Sequence, residues 1–498
     1  MQLQNKVILV ACCVLVVNLP VLYFTDLMFL YNEKRIIVSV LLIMAGVLTF
    51  FTSGKNVQKI ASLLPVYFIW GVIISFLFII ISLFQTEHPF YGIVEISLYV
   101  LLLWVVFITA DVVNTNYYGR YVVIASACVM IFFYSLKFGL GYSFYLSGFK
   151  DFPLWPADGL KTGIIGFANI RFFNQVQIFT LPLLLGGSLL VLRRQKLAGY
   201  FLLFLSVFWW MSLIESAGRG IILSALTAAL ATLYFLKKYT HRWTWYFLGT
   251  LLIGYLANIL LFDIIPPDTG SATKSILRGG SPRMTMWPQT FLASLGKPIF
   301  GHGPMSFSNV NTGFTPSHPH NSVLQLLYEY GYPVTITFVA GIYYGLKKWI
   351  NQTKEQFEVI KKDFEQKVVI RISLTVASVG GLIYSFFSGV IVMPLSQLWL
   401  ALISGTMLGL YFKNDSKVEN AEPIKLYKVV GVKLTLLLAS ITLASVLIKD
   451  IPHLRENEKR FVEKTDRHVL RPRFWQQGKI GLDEFPQRKP KTINESNL

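Results

Sequence analysis

The chain has 498 residues, of which 54% are apolar, 15% aromatic and only 14% charged, with a net charge of +19. Soluble domains carry closer to about 25% charged residues, whereas here apolar windows of about 20 residues follow one another, the length that crosses a roughly 30 Å hydrocarbon layer. This excludes a soluble enzyme and a β-barrel, whose strands would be short and alternating, and predicts an all-α polytopic membrane protein; the positive charge sits in short loops that orient the chain, so nucleic acid is not an expected partner.

The apolar runs predict about 12–13 spans. They lie near residues 6–24, 36–52, 62–84, 92–110, 121–140, 174–192, 198–214, 220–236, 244–264, 322–346, 370–390, 394–412 and 428–448. The first run lacks a small-residue cleavage site and precedes further spans, so it reads as a retained helix. Lys55 and Lys59, Arg193 and Arg194, Lys237 and Lys238, Lys347 and Lys348, and Lys413 and Lys417 mark one side as cytoplasmic. That places the N-terminus inside and the C-terminal tail outside. Lys34 and Arg35 stand against this orientation, partly offset by Asp26 and Glu33. Cys12, Cys13 and Cys128 fall inside spans and have neither disulfide nor metal-ligand spacing.

Four parts follow: N-terminal helices 1–140, a core 141–346 containing the outer loop 266–321, C-terminal helices 347–448, and an outer tail 449–498. The tail is too short and too polar for a core of its own. The inner segment WINQTKEQFEVIKKDFEQK reads as a short surface helix.

The stretch 301–331, GHGPMSFSNVNTGFTPSHPHNSVLQLLYEYG, holds His302, His318 and His320, three of seven histidines. Ser322, Gln325 and Glu329 recur at i, i+3 and i+7 and so share a helix face. A polar stripe on a spanning helix suggests either a wet, protein-lined cavity or interhelical hydrogen bonding. Pro319 and Asn321 also suit a simple turn and cap. The HPH spacing has no neighbouring Cys or carboxylate cluster, which argues against zinc. There is no Asp-rich motif for Mg²⁺.

Three arginines fall on the outer side: Arg171 in GFANIRFFNQVQ, Arg219 in ESAGRG and Arg283 in GGSPRMTMW. Arginines at a membrane boundary often only reach toward headgroups. Arg171, however, is flanked by Asn169, Asn174, Gln175 and Gln177, and Arg219 lies between Gly218 and Gly220, where backbone can approach a ligand. Two guanidinium forks on one aqueous face suit a diphosphate. With no metal motif, arginines would carry the charge compensation, and no cofactor is expected.

The order of these elements resembles the O-antigen ligase and polymerase superfamily of bacterial inner-membrane proteins. The resemblance covers roughly residues 167–346 and rests on SAGRG, RMTMW, GKPIFGHGPMSF and HPHNSVLQLLYEYG. It implies transfer of a glycan from undecaprenyl diphosphate to an acceptor hydroxyl on the periplasmic face, with inversion at the anomeric carbon. The acceptor would be lipid A-core in a ligase, a growing glycan in a polymerase, or a protein in an O-oligosaccharyltransferase. Carried over by motif, His320 becomes the general base and Arg219 and Arg171 the catalytic arginines. Arg283, His318, Asn321, Gln325 and Glu329 are expected around the substrate, with Gln325 and Glu329 orienting the histidine or binding sugar hydroxyls. The alternative from another class is a transporter for a lipid-linked glycan, which would show paired halves and midplane charges.

Overall fold

The computed structural model describes residues 3–18, 30–51, 66–147, 167, 169–264, 283–312, 314, 316–360, 366–412, 426–465 and 471–481. Most of the expected outer segment 141–174, the loop residues 265–282 and the tail beyond 481 lie outside these. Among the described residues the secondary structure is helical, apart from one isolated parallel bridge between Asn309 and Ile480.

Fifteen longer helices are described. They are α1 (Leu3–Asn18), α2 (Leu30–Phe51), α3 (Val66–Leu83), α4 (Pro89–Thr115), α5 (Val122–Leu146), α6 (Ile170–Leu192), α7 (Lys196–Glu215) and α8 (Arg219–Leu236). They continue with α9 (His241–Asn258), α10 (Arg283–Leu295), α11 (Ser322–Ile360), α12 (Gln366–Tyr384), α13 (Pro394–Phe412), α14 (Leu426–Asp450) and α15 (Leu454–Thr465). Ten helical stretches are long and apolar enough to cross a membrane, and α1 and α3 add two shorter apolar ones. With α11, each expected span corresponds to a helix.

The helices pack where small residues let backbones approach. On α13, Gly405 and Gly409 form a four-residue small-residue step against α4, and a Cβ on either would come 2.5–2.6 Å from the Val106 or Ala110 carbonyl oxygen. Such steps associate helices in lipid, where burial of apolar surface gives little drive. At one end of the bundle Lys6 pairs with Asp111 inside the protein, so each charge meets its opposite away from lipid.

Two elements differ from expectation. Helix α11 does not stop at residue 346 but runs to Ile360 and takes in residues 349–360 of the segment read as a separate surface helix. Trp349 and Phe357 in that segment are buried, which explains the continuation. Residues 454–465 and 471–481, read as a tail without a core of its own, pack on the bundle instead of standing free: Leu454, Phe461, Phe474, Trp475 and Ile480 are buried.

Candidate active site

The glycines of the loop and those of α11 explain one another. Gly331 has φ +80°, which breaks α11 after its third turn. The break frees the Tyr328 carbonyl, Pro333 leaves that of Glu329 without a helical donor, and the loop takes both: His302 N–H donates to Tyr328 O at 2.8 Å and Gly303 N–H to Glu329 O at 2.9 Å. Tyr332 N–H, also freed, donates to Pro298 O at 2.7 Å. Gly301 and Gly303 have φ +65° and +95°, and a Cβ on Gly301 would lie 2.5 Å from the Glu329 carbonyl oxygen. The Gly-x-Gly and Glu-x-Gly elements are thus two halves of one seam. His302 belongs to that seam: it stacks on Tyr328 with ring centroids 4.3 Å apart and bonds Ala293 O at 3.0 Å.

The seam sets the turn in front of α11. Asn321 caps the helix, its Oδ1 accepting from the N–H groups of Val323 and Leu324 at 3.0 Å. Ser322 N–H donates to Ser385 O at 2.8 Å, and Trp287 Nε1 donates to Pro319 O at 2.9 Å. His320 sits in the left-handed region at φ +53°, uncommon for a side-chain-bearing residue and sustained only by surrounding contacts. His318 is buried against Gly389, while His320 is half-buried with its ring 4.2 Å from that of His318.

Arg283 links this turn to two further arginines: it acts on His320, and Arg171 and Arg219 act on it. Arg171 and Arg219 stand at the first residues of α6 and α8, and Arg283 is the first described residue of α10. Positive helix ends therefore add to the guanidinium charges. Arg171 and Arg219 are exposed and Arg283 is half-buried. Burial first, then the charges of Arg171 and Arg219, depress the pKa of Arg283. Burial, then Arg283, Arg471 and Arg171, push His320 down to about 3. His320 is therefore neutral, with a lone pair, at neutral pH. In the SAGRG turn Ala217 takes the left-handed conformation at φ +49°. Gly218 is needed for closeness, since a Cβ there would lie 2.6 Å from Asn174 Nδ2.

The polar residues around Arg171 divide by role. Asn169 Oδ1 caps α6 through Arg171 N–H. Gln175 joins Ser388 at 2.7 Å and Ser396 at 2.9 Å, and Gln177 donates to Ser212 at 2.9 Å, so both tie helices together. Asn174 is fully buried with neither amide atom hydrogen-bonded among the described residues.

Gln325 and Glu329 face a different centre from His320. Both are buried, and Glu329 accepts from Gln325 at 3.3 Å, Phe307 N–H at 3.3 Å and Arg473 at 2.6 Å. The same Arg473 nitrogen reaches Glu95 of α4 at 2.6 Å. Tyr330 and Tyr99 hydroxyls complete Glu95. Arg35 lines the same small cavity, so two cations stand with two carboxylates. Glu95 and Arg473 were not among the residues expected from sequence. The available signal was a lone carboxylate inside an apolar run, and the exception that Arg35 made to the charge rule.

A family model described as O-Antigen ligase matches residues 183–339. A protein of Rickettsia conorii named "Putative polysaccharide ligase" is 26% identical over 132 residues, covering 23% of this chain and 32% of that protein. The chain thus aligns with about a third of that relative's length. Arg219, Arg283, His318 and His320 fall inside the family match, whereas Arg171, Glu95 and Arg473 fall outside it. Both comparisons support the resemblance to the O-antigen ligase superfamily that the motifs carry.

Proposed function

We propose that this chain is a metal-independent glycosyltransferase of the O-antigen ligase type. It would move a glycan from undecaprenyl diphosphate to an acceptor hydroxyl at the periplasmic face of the inner membrane. The observation that carries the reading is the meeting of Arg171, Arg219 and Arg283 beside a neutral His320 at one end of the bundle. A diphosphate matches guanidinium forks in charge and shape.

In this mechanism the acceptor oxygen attacks the anomeric carbon as the bond from that carbon to the phosphate oxygen breaks. His320 takes the hydroxyl proton, and the electron pair of the broken bond leaves with the lipid diphosphate, whose added charge the arginines stabilise. Binding the anionic donor also offsets the arginine charges that depress His320, so basicity rises when substrate is present. Single displacement inverts the anomeric centre.

A flippase-type transporter would need its charged groups along a path through the midplane. The arginine and histidine set stands instead at helix ends. The test is turnover by the detergent-purified protein given a lipid-linked glycan and, separately, lipid A-core, a free glycan and a polypeptide as acceptors. Product without any vesicle supports the transferase, and the acceptor consumed separates ligase, polymerase and protein glycosylation. Failure with every acceptor, alongside vectorial movement of the lipid in vesicles, would replace this reading with transport.

A further inference from the structure

We propose that the C-terminal segment 471–481 is part of the substrate site: Arg471 binds the diphosphate of the donor beside His320, and Arg473 is the positioning residue that holds Arg471 there. This rests on the transferase reading given above.

Residues 472–480 are all buried. Six bonds spread along the segment hold it to separate parts of the fold. Tyr31 OH donates to Arg473 O at 2.6 Å, Trp475 Nε1 to Asp450 at 2.6 Å and Gln476 N–H to Asn32 Oδ1 at 2.8 Å. Lys479 Nζ donates to Phe314 O at 2.8 Å, Val310 N–H to Ile480 O at 3.2 Å and Ile480 N–H to Ser308 O at 3.1 Å. These partners come from α2, α14 and the histidine loop.

Arg473 is the centre of this stitching. Its side chain is 1% exposed and one nitrogen lies 2.6 Å from both Glu95 and Glu329. A buried ion pair is a poor source of net stability, because desolvation offsets much of its attraction. What such a triad does well is fix register, since any slip leaves two carboxylates buried without their cation.

The register it fixes delivers Arg471. The Arg471 carbonyl packs against Gly478, which in turn lies on Ser317, the residue before His318. A side chain on Gly478 would collide with both, and its φ of +80° already suits glycine. Arg471 is also one of the three arginine charges felt by His320, with Arg283 and Arg171. The tail thus brings a cation to the histidine from outside the family match, which ends at residue 339. Chemistry supplies a reason for it. When the anomeric bond breaks, the departing diphosphate gains a negative charge, and another guanidinium at that point is worth most then.

The test uses the full-length protein in detergent, with undecaprenyl diphosphate and undecaprenyl monophosphate as binding probes and turnover measured in parallel. Arg471→Ala should weaken undecaprenyl diphosphate binding about tenfold or more, affect the monophosphate less, and leave thermal unfolding unchanged. Arg473→Ala should weaken diphosphate binding as well, although its own side chain is walled off from solvent. The double variant should then bind no worse than Arg473→Ala, because the second change removes a group already displaced. Arg473→Lys should recover part of the loss. Should Arg473→Ala fail to fold, Arg471→Ala decides alone. Wild-type binding and turnover in Arg471→Ala would overturn the inference and leave the transferase reading standing, as would additive losses in the double variant. A wild-type protein that neither binds the diphosphate lipid nor transfers glycan would overturn both.

Discussion

The backbone N–H of His320 donates to Nδ1 of His318 across 3.2 Å. The bond requires Nδ1 of His318 to be unprotonated, and burial, then the neighbouring His320 and the charges of Arg473 and Arg283, hold its pKa well below the ordinary value. His318 therefore acts as a fixed acceptor that keeps the left-handed turn, and His320 is the less buried imidazole, under the charges of Arg283, Arg471 and Arg171. We expect His320→Asn to fold, since asparagine tolerates φ near +53°, and to lose about 10²–10⁴-fold in turnover, the usual share of a general base. Donor binding should persist. His318→Ala should lose less in rate and more in thermal stability. Turnover and lipid binding of both purified variants check this, and full activity in His320→Asn would remove the base assignment.

The pH dependence follows from the same cluster. The base must be unprotonated, and a depressed pKa moves its protonation to lower pH, so the acid limb of kcat/KM should lie well below the ordinary histidine value of about 6.5. Burial and the charges of Arg283, Arg471 and Arg171 set that direction, with His320 at about 3 before substrate binds. The diphosphate offsets those charges, so the acid limb of kcat should lie at higher pH than that of kcat/KM. Matched profiles for wild type and Arg283→Gln provide the comparison. A kcat/KM limb at or above about 6.5 contradicts the electrostatic account.

Arg171 and Arg219 should not tolerate lysine. A point charge cannot give two parallel bonds to a phosphate, so Arg219→Lys and Arg171→Lys should each lose about tenfold or more in kcat/KM with normal expression. Turnover should survive exhaustive chelation in the wild type. Loss on chelation, restored by Mg²⁺ or Mn²⁺, would reassign charge compensation from the arginines to a metal.

The helices were legible because a span must be apolar over about 20 residues whatever it packs against. The histidine turn was legible for a related reason: Asn321 and Pro319 carry local turn chemistry, and Ser322, Gln325 and Glu329 show the helical period. Where Glu329 points was not legible, because its partner Arg473 is 144 residues away. Nor was the tail. Its Arg, Lys and Pro content describes a solvated segment, and only the pairing of one arginine with two carboxylates from α4 and α11 makes burial tolerable. Arg35 shows the same limit: read as a loop charge, it is buried and bonded to Gln397 at 2.8 Å and to the Phe474 carbonyl at 3.1 Å.

Membrane sidedness gives a further test. The contact between Val310 and Ile480 puts the histidine loop and the described part of the tail on one side, and the lysine and arginine bias predicts that side to be periplasmic. Reporters inserted at Thr312 and fused after Leu498 should both give the periplasmic signal. A cytoplasmic signal at Thr312 would separate the site from a periplasmic acceptor and end the proposed reaction.

The last prediction concerns the break in α11. At Gly331 an added methyl would be held at φ +80° and would crowd the carbonyl oxygens of Ile299 and Pro298. The strain of a left-handed residue alone is on the order of 1–3 kcal/mol, and the backbone clash adds to it. If the helix straightens to escape, Tyr332 N–H returns to the Tyr328 carbonyl and the loop loses the acceptor for the His302 N–H group. We therefore expect Gly331→Ala to lower thermal stability and to reduce turnover, although residue 331 lies nearly a dozen positions beyond His320. Gly345→Ala on the same helix serves as control, since a Cβ there meets nothing within 4 Å. It should be neutral or slightly stabilising, as alanine is the better helix former. Equal behaviour of the two variants would show that the kink at Gly331 does not hold the loop in place.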